Sequence, residues 1–148
     1  MFVPDNVTKI NNNAFQNCTS LRKVCLPDAL TAIPQNTFNG CTALEDVNIP
    51  KALTTLGVKA FMATAISAVR LPAAVSAIPS QTFQNCSRLE TVTLERDATD
   101  GITSLAAANV FSGCAALVHI YVPASALSAY KEAPLWSAYS EIISADAL

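Results

Sequence analysis

The stretch "NNNAFQNCTSLRKVCLP", residues 11–27, decides how this chain is read. Its Phe15, Cys18, Leu21, Val24, Leu26 and Pro27 recur at the same offsets further on. "QNTFNGCTALEDVNIP" stands at 35–50, "SQTFQNCSRLETVTLE" at 80–95 and "ANVFSGCAALVHIYVP" at 108–123. A worn copy, "VKAFMATAISAVRLP", occupies 58–72. The anchors Phe15, Phe38, Phe61, Phe83 and Phe111 are 23, 23, 22 and 28 residues apart. A period of 20–29 residues with a Leu-x-x-Val-x-Leu core is the signature of a leucine-rich repeat, one strand per turn. Each turn of such a stack has an apolar face that only its neighbour can cover, so the apolar positions repeat because each meets its own copy.

Composition agrees with a long, thin core. The 148 residues are 51% hydrophobic and 14% charged, with a mean hydropathy of +0.35. No apolar run approaches the roughly 18 residues that would read as a membrane helix. The net charge is −2, and no basic cluster marks a nucleic-acid partner. MFVPDNVTK lacks the basic and apolar regions of a signal peptide. Phe2-Val3-Pro4 aligns with Cys25-Leu26-Pro27, so the sequence begins in mid-repeat, as a fragment of a longer array would.

Within each repeat an apolar-x-apolar pair forms the strand: Val24/Leu26, Val47/Ile49, Val69/Leu71, Val92/Leu94 and Ile120/Val122. Side chains alternate along a strand. Two rows therefore face out: Lys23, Asp46, Ala68, Thr91, His119, and Cys25, Asn48, Arg70, Thr93, Tyr121. Pro27, Pro50, Pro72 and Pro123 lack an amide donor and end their strands. A second apolar pair follows, as in Leu30/Ile33 and Val75/Ile78. The short Asn- and Gln-rich segments before each Cys predict helical turns on the convex side, where Asn suits tight bends.

Two repeats depart from the rule. Phe61 and Ile66 are five residues apart where other copies have six, and Ala63 or Thr64 fills the Cys position. This turn is expected to be tight and to bend the stack. "ERDATDG", 95–101, replaces a Pro with Glu95 and lengthens the next turn. It reads as a surface loop. Asp97 and Asp100 make a weak calcium reading, since the alternating ligands of an EF-hand loop are missing. After residue 123 the period stops, and 124–148 reads as a cap of two short helices. Ser125 is placed as N-cap. Pro134 divides the helices, and Tyr130, Leu135, Trp136, Tyr139 and Ile142 cover the end of the stack.

Cys18, Cys41, Cys86 and Cys114 share one position, and adjacent turns bring them within disulfide reach. The reading preferred here is a ladder of buried free thiols acting as small hydrophobes. Cys25 is exposed. No CxxC or HxxxH pair points to zinc. His119 is the only histidine. Cys25, the one nucleophile to consider with it, lies about 19 Å away at strand spacing. No phosphate-binding loop or nucleophile elbow is present, and catalytic residues and cofactors are both read as none. The Asn6, Asn17 and Asn85 sequons are largely by-products of the repeat.

Ala14-Phe15-x-x-Cys18-x-x-Leu21-x-x-Val24-x-Leu26-Pro27, with Leu30 and Ile33, resembles the BspA-like, or Treponema pallidum type, leucine-rich repeat over residues 3–123. "VPASALSAYKEAPLWSAY" resembles the ending that follows such repeats in surface proteins of gut bacteria. The resemblance implies a right-handed leucine-rich-repeat solenoid of about five turns at 1–123. It would have a concave parallel sheet and a helical cap over 124–148. It also implies an extracellular or cell-surface location and a binding role in adhesion to a protein or glycan. Lys23, Asp46, Asn48, Arg70, Thr91, Thr93, His119 and Tyr121 would form the contact face, with Arg70 and Tyr121 as anchors. The alternative is a structural spacer that holds another domain away from the surface. The expected state is a monomer or a piece of a longer array.

Overall fold

In the computed structural model, which describes residues 1–146, the chain winds as a parallel solenoid. Strands β1 (Lys23–Val24), β3 (Asp46–Val47), β5 (Ala68–Leu71), β7 (Thr91–Leu94) and β9 (His119–Val122) form the main face. A second face carries β2 (Ala32–Ile33), β4 (Thr55–Leu56), β6 (Ala77–Ile78) and β8 (Ser104–Leu105). The tail holds a 3-10 turn at Ala124–Ala126, helix α1 (Leu127–Glu132), a second 3-10 turn at Trp136–Tyr139 and strand β10 (Ile143–Ala145). Strand partners lie in the register that the repeats dictate: Lys23 beside Asp46, Val69 beside Val92, Val92 beside Ile120.

The third edge of the solenoid is built around phenylalanine. Phe15, Phe38, Phe61, Phe83 and Phe111 stack one on the next, with ring centroids 5.4–5.7 Å apart. Phe38, Phe61 and Phe83 are fully buried. Such aromatic contacts add about 0.5–1.5 kcal/mol each beyond the area they bury. The backbone around them makes a ladder of its own. The amides of Asn13, Phe15 and Asn17 donate to the carbonyls of Gln35, Thr37 and Asn39 in the next turn at 2.8–3.0 Å. Asn36, Phe38 and Gly40 repeat this toward Val58, Ala60 and Met62. The amides between them bond back three residues, as in a 3-10 turn: Ala14 to Asn11, Gln16 to Asn13. Positive φ recurs at the residues two before and two after each Phe (at Phe111 only after), where the chain turns to aim amides along the stack. These are Asn13, Asn36, Lys59 and Gln81 in one column, and Asn17, Gly40, Ala63, Asn85 and Gly113 in the other. Asn and Gly tolerate this conformation best, which accounts for the Asn-rich segments. Ala63, at φ 57°, fits it least well.

The thiols serve the same ladder. Cys41, Cys86 and Cys114 donate Sγ–H to the carbonyls of Phe15, Phe61 and Phe83 in the preceding turn. Cys41 and Cys86 are buried free thiols, as expected, while Cys114, expected buried as well, is only half-buried. Cys18 is exposed, contrary to expectation, because no earlier turn lies against it. Cys25 is half-buried rather than exposed, since Met1–Val3 runs beside β1 and bridges it at Phe2.

The short third repeat interrupts the sheets. β1 pairs only with β3, and β5, β7, β9 and β10 form a separate sheet. On the second face β2–β4 and β6–β8 part at the same junction. There the Ala65 amide donates to the Leu44 carbonyl, and no strand pairing follows it. The phenylalanine ladder continues through the break, and its one larger tilt, 21° against 7–9° elsewhere, falls between Phe38 and Phe61. Losing one residue between Phe61 and Ile66 thus displaces the strands and leaves the stack intact.

The tail differs from the sequence reading in three respects. Ser125 lies inside the first 3-10 turn and caps nothing. Leu135, at φ 65°, is exposed rather than packed on the stack. Residues Ile143–Ala145 form a strand that pairs with β9, so the tail extends the sheet as well as closing it with helices. Tyr130 and Trp136 are fully buried, and Trp136 and Tyr139 meet Phe111 at 46° and 82°, which ends the parallel stacking. Trp136 Nε1 donates to Thr103 O at 2.7 Å, and Tyr130 Oη donates to Arg96 O at 2.9 Å.

Hydrogen exchange should read the interrupted ladder directly. Strand β7 is paired on both sides, whereas β3 and β5 are each paired on one. Amide protection should therefore be highest at Thr91–Leu94 and lower at Asp46–Val47 and Ala68–Leu71. Uniform protection across the three strands would contradict this order.

Candidate binding face

Strand register places Lys23 beside Asp46 before the break, and after it Ala68, Thr91 and His119 in one outward row and Arg70, Thr93 and Tyr121 in the other, with Asn48 just past β3. Two residues extend the second row at its ends. Phe2 pairs with Cys25 and is 68% exposed. Ser144 of β10 pairs with Tyr121. The likeness of Phe2-Val3-Pro4 to a strand end signalled Phe2, but nothing periodic marks Ser144.

The N-terminal half of the face is used internally. Lys23 Nζ lies 2.5 Å from Asp46 Oδ2, and that hydrogen bond raises the Lys23 pKa. Asn48 completes a missing strand pair: Leu26 N–H donates to its Oδ1 at 2.6 Å, and its Nδ2 donates to Leu26 O at 2.7 Å. Arg70 Nε lies 2.6 Å from Glu95 Oε1, and its Nη1 and Nη2 lie 3.3 Å from Asp146 Oδ2. The Glu95 hydrogen bond leads the upward shift of its pKa, with the Asp146 charge adding to it. Arg70 thus ties β5 to the loop after β7 and to the end of β10. These ion pairs are exposed, so each contributes little to stability.

The C-terminal half is differently furnished. His119 and Tyr121 point the same way from β9, their rings stacked at 5.5 Å and 15°. Thr91 adjoins His119, and Thr93 adjoins Tyr121. Thr93 is 8% exposed because Arg70 and Tyr121 flank it. Other threonine hydroxyls bond to carbonyls, as Thr37 does to Pro34, Thr82 to Pro79 and Thr103 to Val75. Thr91, Tyr121 and Ser144 are not buried, and among the described residues no buried side-chain oxygen or nitrogen is left without a partner.

A cleft of about 380 Å³ opens where β3 and β5 separate, lined by Val47, Ile49, Ala68, Val69 and Pro72. A larger concavity of about 770 Å³, beside Lys9, Ile10, Asn11, Ala32 and Pro34, lies away from these rows. In the 95–101 loop considered for calcium, the Arg96 guanidinium ties up backbone carbonyls. It donates to the carbonyls of Ala73, Asp100 and Gly101 at 2.6–2.9 Å. The Asp97 carboxylate accepts the Thr99 amide, which lowers its pKa. No group of acidic, His or Cys side chains suited to a metal occurs among the described residues.

Parallel strands that recur once per turn of 22–28 residues on the main face, around a column of apolar side chains, define a leucine-rich-repeat solenoid. The chain belongs to the BspA-type leucine-rich repeat family, whose profile, "BspA type Leucine rich repeat region", matches residues 8–133 in six copies. Solved structures agree. A leucine-rich repeat protein from Bacteroides ovatus is 31% identical with a TM-score of 0.67, over 81% of this chain and 30% of that one. A leucine rich cell surface protein from Faecalibacterium prausnitzii is 25% identical with a TM-score of 0.64, over 82% of this chain and 40% of that one. The pneumococcal vaccine antigen PcpA, at 13% identity, shares the fold over 100% of this chain and 41% of its own, with a TM-score of 0.70. This chain therefore spans less than half the length of each. No curated protein sequence matches it.

Two measurements test the chemistry of this region. Burial pushes the Cys41 thiol up to about 11 and Cys114 to about 12, and it raises Cys86. Because the thiolate is the reactive form, iodoacetamide at pH 8.5 should label Cys18 first and leave Cys41, Cys86 and Cys114 intact until the protein unfolds. Peptide mass spectrometry that found Cys41 labelled as fast as Cys18 would refute this. Asn48→Ala strips both partners from the Leu26 backbone, and a lost buried pairing costs about 1–3 kcal/mol. Urea denaturation should show a loss of that size.

Proposed function

We propose that this chain is a non-enzymatic binding module of a bacterial cell-surface or secreted protein, engaging a protein or glycan through the exposed sheet face. The observation that carries the reading is the contrast along that face. Its N-terminal half is tied up in Lys23–Asp46, Asn48–Leu26 and Arg70–Glu95–Asp146 contacts, while Thr91, His119 and Tyr121 are presented without side-chain polar partners among the described residues. A rigid stack that displays side chains free of internal duties suits recognition, and residues of this kind outside the core are the ones a folding requirement does not explain. The description of the Faecalibacterium relative as a cell surface protein supports the location. Among the described residues no helix is long and apolar enough to cross a membrane. The boundary between repeats and cap is placed at residue 123, where the last Val-Pro ends β9.

The test is solid-phase binding to a panel of extracellular-matrix glycoproteins, each intact and enzymatically deglycosylated. A Thr91→Ala/His119→Ala/Tyr121→Ala variant should bind at least tenfold more weakly than wild type. Gln16→Ala on the opposite edge should bind as wild type does. Binding that ignores the triple variant would refute the sheet face as the contact surface. An absence of binding across the panel would favour the spacer.

A further inference from the structure

We propose that the C-terminal half of the sheet face is a subsite for an uncharged sugar, one ring stacking on the His119–Tyr121 pair and its hydroxyls bonding to Thr91, Tyr121 and Ser144. This inference rests on the reading of that face as a binding surface and specifies its ligand.

Three features lead to it. The first is aromatic geometry. His119 and Tyr121 are held parallel at 5.5 Å and 15°, so each turns one ring face away from the other, ready-formed. Stacking the C–H face of a pyranose on such a ring uses the negative potential of the aromatic face, and a pair already in position loses little freedom on binding.

The second is charge. The nearest ionised groups on the face are mutually compensated: Arg70 lies between Glu95 and Asp146 at 2.6 and 3.3 Å. Besides the His119 ring, the polar groups offered here are hydroxyls, of Thr91 on β7, Tyr121 on β9 and Ser144 on β10. A hydroxyl both donates and accepts, as the hydroxyls of a neutral sugar also require. A sulfated or sialylated ligand would meet no free cation here, and Glu95 and Asp146 stand nearby.

The third is size. The free patch spans β7 to β10, two strand spacings or about 10 Å, and two side-chain positions or about 7 Å along each strand. That is on the order of 100 Å², whereas a stable protein partner needs about 800 Å² on each side. One or two sugar rings fit the patch, and a folded protein partner would have to draw most of its contact from the internally paired half.

The experiment is an NMR titration of the intact chain at pH 7.5 with lactose, maltose, mannobiose and a sulfated chondroitin disaccharide, following the His119 and Tyr121 ring resonances. The expected result is saturable shifts at both rings with at least one neutral disaccharide, at millimolar concentrations, and a weaker response to the sulfated one. Tyr121→Ala should weaken binding at least tenfold, and Tyr121→Phe, which keeps the ring, should retain most of it. An unchanged amide spectrum outside β9 verifies that both variants fold. Shifts with the sulfated disaccharide alone, or with no sugar up to 50 mM, would overturn the proposal. So would equal binding by Tyr121→Ala and wild type. If no sugar binds while the triple variant still loses glycoprotein binding, the sugar subsite is wrong and the binding face stands. If neither responds, both fail.

Discussion

The stacked column from Phe15 to Phe111 is the contact on which the other features depend. Each ring meets its copy in the next turn at 5.4–5.7 Å, so every turn must return the chain to the same place after one circuit. The circuit sets the strand register, the position of the second ladder and the left-handed residues that flank the Phe column where amides point along the stack. The buried thiols belong to the same device, because each Sγ–H finds a carbonyl beside the ring beneath it.

The third turn shows which constraint prevails when the two conflict. One residue is missing between Phe61 and Ile66, and the chain cannot satisfy both the rings and the strands. The rings stay stacked with a 21° tilt, while both strand ladders part. Energetics favour that outcome. Several aromatic contacts and the buried apolar column outweigh a few backbone bonds whose net worth is about 1 kcal/mol each and whose groups can turn to water. The same turn carries Lys59 at positive φ between Asn36 and Gln81, and Ala63 between Gly40 and Asn85, so neither of its left-handed positions holds Asn or Gly.

The break also divides the sheet face. Its N-terminal portion is neutralised by its own side chains, and Arg70, an attractive anchor by residue type, is a strut between three segments. The aromatic and hydroxyl residues beyond it sit on the most continuous part of the sheet, where β7 and β9 are each paired on both sides. Recognition elements on such a support lose little order when a ligand arrives.

The sequence by itself determined the solenoid, its period, the core positions and the two outward rows, because a nearest-neighbour stack writes each contact once per turn. It also located the weak third turn, since a deletion in a repeat is visible by comparison with its copies. What it could not show were contacts made outside the period. Ser144 joins the face only because β10 folds back beside β9. Arg70 meets Asp146 76 residues away, Asn48 turns its amide onto Leu26, and Arg96 ties up backbone carbonyls of the loop considered for calcium. Cys18 matches its buried copies letter for letter and is exposed, because burial depends on whether a neighbouring turn lies against it. Tertiary structure decided these points, since each depends on which partner a side chain finds across the stack, and a repeat motif records only the partners that every turn shares.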